Sequence, residues 1–319
     1  MGTFPGAIDL ADIHHARENI AGSVARTPLV RLDVDHPAEI FLKLENLQPI
    51  GSFKLRGAGN AIVSAEPGQL AHGVYTASAG NMAQGVAWHA RRLGIPCTVV
   101  VPDHAPQSKR DAIVRLGGTI IEVPFDRWWQ VVTEHHYPGV DGYFIHPVSS
   151  PAVMAGNATI GLEILEDLPD VDTIVVPFGG GGLSCGIASA VRHLRPATRV
   201  LGAEVDTSAA LTAALAAGRP TRINYQPTFV DGIGSSMVLP DMWDLASSLL
   251  DGSVVSSIAE VEDAVRLLAA RNHVIAEGAG AASVAAAVGG RAGEGKIVCV
   301  VSGGNIDLRT LADILSSAR

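Results

Sequence analysis

Four consecutive glycines, Gly179-Gly180-Gly181-Gly182, follow the apolar run Val175-Val176-Pro177-Phe178 and precede a helical stretch from Leu183. Without side chains, this backbone can approach a ligand closely. The free N–H groups and positive end of the following helix favour an anion, most simply a phosphate. A tight turn in a packed sheet is the plainer reading. Four glycines in a row are costly in unfolded-chain entropy, however, which favours a functional role. A second turn, Thr76-Ala77-Ser78-Ala79-Gly80-Asn81, also leads from strand to helix and offers backbone donors, a hydroxyl and an amide. Taken alone, Ser78 or Asn81 reads as a helix cap. Together the two turns imply a ligand, or ligand pair, with two anionic ends. Lys54 lies in the glycine-bounded segment Gly51-Ser52-Phe53-Lys54-Leu55-Arg56-Gly57 after an apolar strand. In isolation it reads as a surface lysine. What sets it apart is its company: two anion turns and the later Ser302-Gly303-Gly304-Asn305.

Other groupings carry less. Glu204 stands about where a dinucleotide-binding acid would follow the glycines, but the third glycine of GxGxxG falls on Ser184 or Cys185. Gly290-Arg291-Ala292-Gly293-Glu294-Gly295-Lys296 approaches a P-loop, yet Ile297 occupies the Mg²⁺-ligand position and a strand follows, which reads as a surface loop. His14-His15 and His135-His136 are adjacent pairs without the i, i+3 or i, i+4 spacing of helical metal ligands. Glu163, Glu166 and Asp167 read as one solvated helix face. No GxSxG elbow is present.

The elements that would position these residues alternate. A helix is expected over 9–21, ended by Gly22, then strands over 40–44 and 73–77. A helix over 81–93 ends at Gly94, and a strand follows over 97–101. The next helix spans 106–116 and the next strand 119–123. A second block predicts a helix ending near 166, a strand 173–176, a helix 183–194 and a strand 199–204. A helix 261–272, a strand 296–301 and a helix 306–316 complete it. Strand–helix–strand units of this kind build parallel sheets. The stretch 124–145, with Trp128, Trp129, His135, His136 and Pro138, breaks the rhythm, and a boundary is placed near it; the two tryptophans read as core packing ahead of the alternative, that they shape a larger substrate pocket.

Composition agrees with a folded chain of one large or two modest domains. Of 319 residues, 47% are hydrophobic and 17% charged, enough to bury a large core and too little charge for global disorder. The formal charge of −9 argues against a general nucleic-acid or anionic-membrane binder. The longest uncharged run, Ile174 to Val191, contains Pro177 and five glycines and reads as strand–loop–helix, not a membrane span. Cys97, Cys185 and Cys299 form no disulfide framework, which points to a reduced, cytoplasmic setting. The start of the chain shows no secretory signal, and Gly6 replaces the Ser or Thr of a myristoylation motif.

Taken in order, Thr27-Pro28-Leu29, Lys43-Leu44-Glu45-Asn46, Gly51-Ser52-Phe53-Lys54, Ser78-Ala79-Gly80-Asn81, the four glycines and Ser302-Gly303-Gly304-Asn305 resemble the fold-type II pyridoxal-phosphate (PLP) enzymes. The closest likeness is to their serine/threonine dehydratase (threonine ammonia-lyase) branch, and it spans most of the chain. The resemblance implies an α/β, tryptophan synthase beta-like fold: two open twisted parallel-sheet lobes with the site in the cleft. It implies a large PLP-binding domain over 1–46 and 146–319 and a small mobile domain over 47–145. Lys54 would be the catalytic residue and form the Schiff base with PLP, with Phe53 beside the ring. Gly179, Gly180, Gly181 and Gly182 would hold the phosphate, Asn81 would contact the 3-oxygen and Ser302 would face the pyridine nitrogen. Ser78, Ala79, Gly80 and Asn81 would bind the substrate carboxylate. Glu277 resembles a family glutamate near the cofactor. The implied reaction is α,β-elimination on a small β-hydroxy amino acid such as L-threonine or L-serine, giving a 2-oxo acid and ammonia. A homodimer joined through the larger lobe is expected, with no nucleic-acid or membrane partner.

The departures from the family pattern are specific. Ala79 stands where serine racemases carry a second catalytic serine, which favours dehydration over racemisation. Met82 replaces a common His, and Pro147-Val148-Ser149-Ser150-Pro151 replaces Pro-Phe-Asp-Asp-Pro, leaving the substrate side chain open. Ala210 replaces the aspartate that joins the Glu204 position in a divalent metal site of some relatives, so no metal is expected there. No regulatory domain is expected after Arg319. The alternatives are a β-replacement enzyme of the cysteine synthase type, against which Phe53-Lys54-Leu55-Arg56 argues, and a non-catalytic PLP-binding protein.

Overall fold

A computed structural model describes residues 6–317 of the protein. The Met1–Pro5 stretch, on which the expectation of no targeting signal rests, lies outside the described residues. Helix α1 (Leu10–Asn19) is followed by strands β1 (Leu29–Arg31) and β2 (Glu39–Leu44) and helix α2 (Lys54–Val63). Then come β3 (Val74–Ala77), α3 (Asn81–Leu93), β4 (Cys97–Pro102), α4 (Gln107–Arg115), β5 (Thr119–Val123), α5 (Phe125–Glu134) and β6 (Tyr143–Phe144). The long α6 (Pro151–Asp167) leads to β7 (Thr173–Pro177), α7 (Gly182–Leu194), β8 (Arg199–Val205), α8 (Ala210–Ala217) and α9 (Pro240–Leu249). The chain ends in β9 (Ser253–Ser256), α10 (Ile258–Leu267), α11 (Gly278–Val288), β10 (Lys296–Val301) and α12 (Leu308–Ser316).

Two sheets organise these elements. The larger has six strands in the order β1-β2-β10-β7-β8-β9, parallel except for the β1–β2 pair. The smaller has four parallel strands in the order β5-β4-β3-β6. The inner strands of the larger sheet are buried on both faces, which is why β7 and β10 read as unbroken apolar runs. Lys54, the first residue of α2, follows the large-sheet strand β2, and α2 packs between α3 and α6. Close approach of α2 and α6 needs a glycine: a Cβ on Gly156 would lie 2.5 Å from the Arg56 carbonyl oxygen. Helix α6 is buried along almost its whole length.

Most of the expected elements are present within a residue or two, and α3, β5 and β10 match to the residue. Three readings change. The stretch 124–145 is not irregular, for α5 and β6 lie within it. Glu163 does not sit on a solvated face with Glu166 and Asp167. It is 5% exposed and joins a buried ionic cluster, whereas Glu166 and Asp167 pair with Arg17 and Arg26 nearer the surface. Of the two tryptophans, Trp128 packs half-buried against the small-sheet core as expected, whereas Trp129 is no core plug, being 43% exposed. Residues 290–295 form the turn between α11 and β10. Among the described residues no helix is long and apolar enough to cross a membrane. No group of three metal-ligating side chains comes together among them.

Candidate active site

The carboxyl ends of β3, β7 and β10 open into one cavity of about 490 Å³ between the two sheets. This is where a parallel α/β sheet leaves room, because its strands stop and its helices begin at that edge. Every residue singled out from the sequence reaches it: Phe53, Lys54, Ser78, Ala79, Gly80, Asn81, Gly179 to Gly182, and Ser302.

The glycine loop carries β7 into α7. Gly181 has φ +93°, a backbone that side chains resist, and a Cβ on Gly182 would stand 2.5 Å from the Val148 carbonyl oxygen. None of the amides of Gly179 to Gly182 donates to a protein acceptor among the described residues. These donors at a helix N-terminus suit a phosphate dianion. The second turn differs from its capping reading. Ser78 Oγ accepts from Gly80 N–H at 3.2 Å, and α3 starts with no side-chain cap. The start of α3 is thus left without a side-chain acceptor, with open space where a Gly80 Cβ would be, an arrangement that suits an anion.

Lys54 Nζ donates to the Pro147 carbonyl at 2.6 Å and lies 5.2 Å from the centre of the Phe53 ring. Burial pulls its pKa down to about 8, against an upward pull from the Glu277 carboxylate. The carbonyl it meets belongs to a loop organised by His146. That imidazole accepts at Nδ1 from the backbone N–H groups of Val148 and Ser149, at 3.1 and 2.8 Å, and from Ser149 Oγ. An Nδ1 that accepts from backbone amides is unprotonated, and burial with neighbouring His135 pushes the ring down to about 4. The lysine therefore has a neutral neighbour.

Asn81 is held by two partners from the large-sheet side. Its Nδ2 donates to Glu277 at 2.9 Å, and its Oδ1 accepts from Asn305 Nδ2 at 2.8 Å. Burial lifts Glu277 to about 7, opposed by the Asn81 hydrogen bond. Ser302 is 2% exposed, and its carbonyl accepts from Phe53 N–H, which fixes the ring beside Lys54.

Behind Lys54 lies a closed ionic cluster. Arg56 donates to both Glu45 oxygens at 2.8 Å and to Glu163 at 2.7 and 2.9 Å, while Lys43 Nζ donates to Glu163 at 2.6 Å. All four side chains are nearly inaccessible to solvent. The cluster ties the first turn of the lysine-bearing helix to β2 and α6. Glu204 plays a structural part, because it accepts from the Leu211 and Thr212 amides and caps α8. The three cysteines are buried and unpaired.

Sequence reasoning missed Lys109, Pro147, Val148, Tyr225 and Asp231 in the lining and ranked the pocket reading of Trp128 and Trp129 second; with Phe125 and Val132 these two line the cavity from α5, Phe125, Trp128, Trp129 and Val132 in that order. The last four recur at i, i+3, i+4 and i+7, a helical stripe legible once 124–145 is read as helix.

Residues 20–303 match the profile of the family described as pyridoxal-phosphate dependent enzyme. The chain is 39% identical over 315 residues to the L-threonine ammonia-lyase of Thermotoga maritima, covering 97% of this chain and 78% of that protein. It is 37% identical over 319 residues to the catabolic L-threonine dehydratase TdcB of Escherichia coli K12, covering 97% and 96%. Maize serine racemase matches it in structure with a TM-score of 0.89 at 33% identity, covering 96% of each chain.

Proposed function

The chain belongs to the pyridoxal-phosphate dependent enzyme family, and from that premise we propose that it is an ammonia-lyase of the fold-type II class. It converts a small β-hydroxy amino acid, of which L-threonine and L-serine are the simplest, to a 2-oxo acid and ammonia. The observation that supports this reading is the convergence of Lys54 with two helix N-termini that offer free amides in one cavity.

PLP, when bound, supplies an electron sink that acidifies the substrate α-carbon. Lys54 anchors it and then moves the α-proton; a pKa near 8 leaves a useful fraction of neutral amine at neutral pH. Pro147 O accepts from the Lys54 amine and would hold it in the cavity once it is freed. The amides of Gly179 to Gly182 would take the phosphate, Phe53 would flank the ring and Asn81 would contact the 3-oxygen. Ser302 would face the ring nitrogen with a neutral hydroxyl, which does not balance a ring cation and so suits elimination over transamination. Ser78 to Asn81 take the substrate carboxylate at the start of α3. Ala79 offers no acid for the opposite face of the α-carbon, so racemisation is not proposed.

We further propose the large domain over 1–46 and 146–319, the small mobile domain over 47–145, a homodimer through the large domain, and a cytoplasmic location. The test is 2-oxo acid release from L-serine, L-threonine and larger β-hydroxy amino acids, wild type beside Lys54→Ala. We expect turnover of at least one, falling at least about 10³-fold in the variant. A cofactor-loaded protein that turns over none, yet forms product from O-acetylserine and sulfide, would move the reading to β-replacement.

A further inference from the structure

The substrate cavity has an aromatic wall. Phe125, Trp128 and Trp129 all line it from one face of α5. Their rings form a continuous run with His104: 5.7 Å from His104 to Phe125, 5.6 Å to Trp128 and 6.2 Å to Trp129. Trp128 and the buried Val132 rest on the core of the smaller sheet, so the helix is fixed in place. Phe125 and Trp129 nevertheless leave 49% and 43% of their surfaces open. Apolar surface this large, gathered at the rim of a binding cavity, gains free energy only when something apolar covers it.

The charges of the same cavity exclude the main competitor, an acidic side chain. Lys54 is committed to the reaction. Lys109 already pairs with Asp231, and Glu277 adds a second carboxylate. Tyr225 adds a further ring to the lining.

We infer that the preferred substrate is a β-hydroxy amino acid bearing an aromatic β-substituent, of the β-phenylserine class; this rests on the lyase reading above. The step balances without any co-reactant. The Cα–H and Cβ–O bonds break and water leaves, the enamine product becomes an imine, and water adds as ammonia departs. The net change is phenylserine to phenylpyruvate plus ammonia.

The experiment uses the PLP-loaded enzyme and two series. Turnover compares threo-β-phenylserine with L-threonine by kcat/KM. Binding compares L-phenylalanine with L-2-aminobutyrate, which have no leaving group, by the change in cofactor absorbance. Both ratios are expected to favour the aromatic member by at least about tenfold, as filling an apolar pocket does. Phe125→Ala and Trp129→Ala should bring both ratios toward one, and Trp129→Phe should restore most of the preference. Turnover of L-threonine with both ratios at or below one would overturn the inference and leave the lyase standing. Turnover of neither substrate, nor of L-serine, would overturn the lyase reading. The binding ratio would then decide the aromatic preference by itself, a value near one overturning it.

Discussion

Lys54 has one carboxylate that raises its pKa, Glu277, and burial that lowers it, with burial the stronger effect. The neutral amine would be the nucleophile, so cofactor uptake by the apoenzyme should rise by about tenfold per unit between pH 7 and 8, level off above, and rise less steeply below pH 7, where Glu277 is protonated. Glu277→Gln removes the group that favours the charged lysine. The midpoint of the uptake profile should then move to lower pH, and stopped-flow absorbance across pH 6–10 measures it. A midpoint near the ordinary lysine value of 10.5 in both proteins would contradict the burial account. His146 does not complicate the profile, because its lowered pKa of about 4 keeps it neutral throughout that window.

At the scale of elements, the cavity depends on turns that two strands make as they become helices. The β7–α7 turn tolerates no side chain at Gly182, because Val148 occupies that space with its backbone. Gly182→Ala should displace the loop, cost about 1–3 kcal/mol of stability and weaken PLP binding at least about tenfold. Urea unfolding and cofactor titration measure the two separately; an unchanged PLP affinity would count against the loop as the phosphate seat. These turns were legible, since strand, glycines and helix adjoin in the sequence. Helix α2 was not, because Gly57 and Gly59 interrupt its helical pattern. Both are there for close packing: a Cβ on Gly57 would meet Val153, and one on Gly59 would meet His89. Helix α11 escaped for a related reason. Its run Gly278-Ala279-Gly280-Ala281-Ala282 is buried all round and shows no polar face. Helix α5 follows Pro124 with no capping side chain, and paired tryptophans obscured its stripe.

Across the whole molecule, the Arg56 cluster joins α2 to β2 and α6, so the reactive lysine is anchored to the larger sheet. Asn81–Glu277 and Lys109–Asp231 cross the cleft from the other side. Burial raises the Glu45 pKa, but the Arg56 charge and its hydrogen bonds prevail, holding the carboxyl below its ordinary 4.5. Glu45 therefore contributes stability that is complete above pH 4.5 and is lost as pH falls through its lowered value. Glu45→Gln leaves a buried guanidinium partly unpaired and should cost about 3–5 kcal/mol at pH 7. The gap between variant and wild type should narrow below pH 4.5. Urea midpoints at several pH values test this, and a gap below about 1 kcal/mol at pH 7 would show that the cluster adds nothing.

The sequence by itself determined the local units: parallel strand–helix alternation, two glycine-bearing strand-to-helix turns suited to anions, a lysine in a glycine-bounded segment, and the order that marks the family. Those features are set by residues adjacent in the chain, so spacing and residue type suffice to read them. The tertiary structure decided which charges are neutralised and what shapes the substrate cavity. Arg56 meets Glu163 across 107 residues, Lys109 meets Asp231 across 122, and Asn81 meets Glu277 across 196. Pairs so distant leave no periodic trace in the sequence. They exist because chain packing brings them together and because burial makes each partner indispensable to the other. The same packing turned the α5 aromatics toward the cavity, where they form one of its walls.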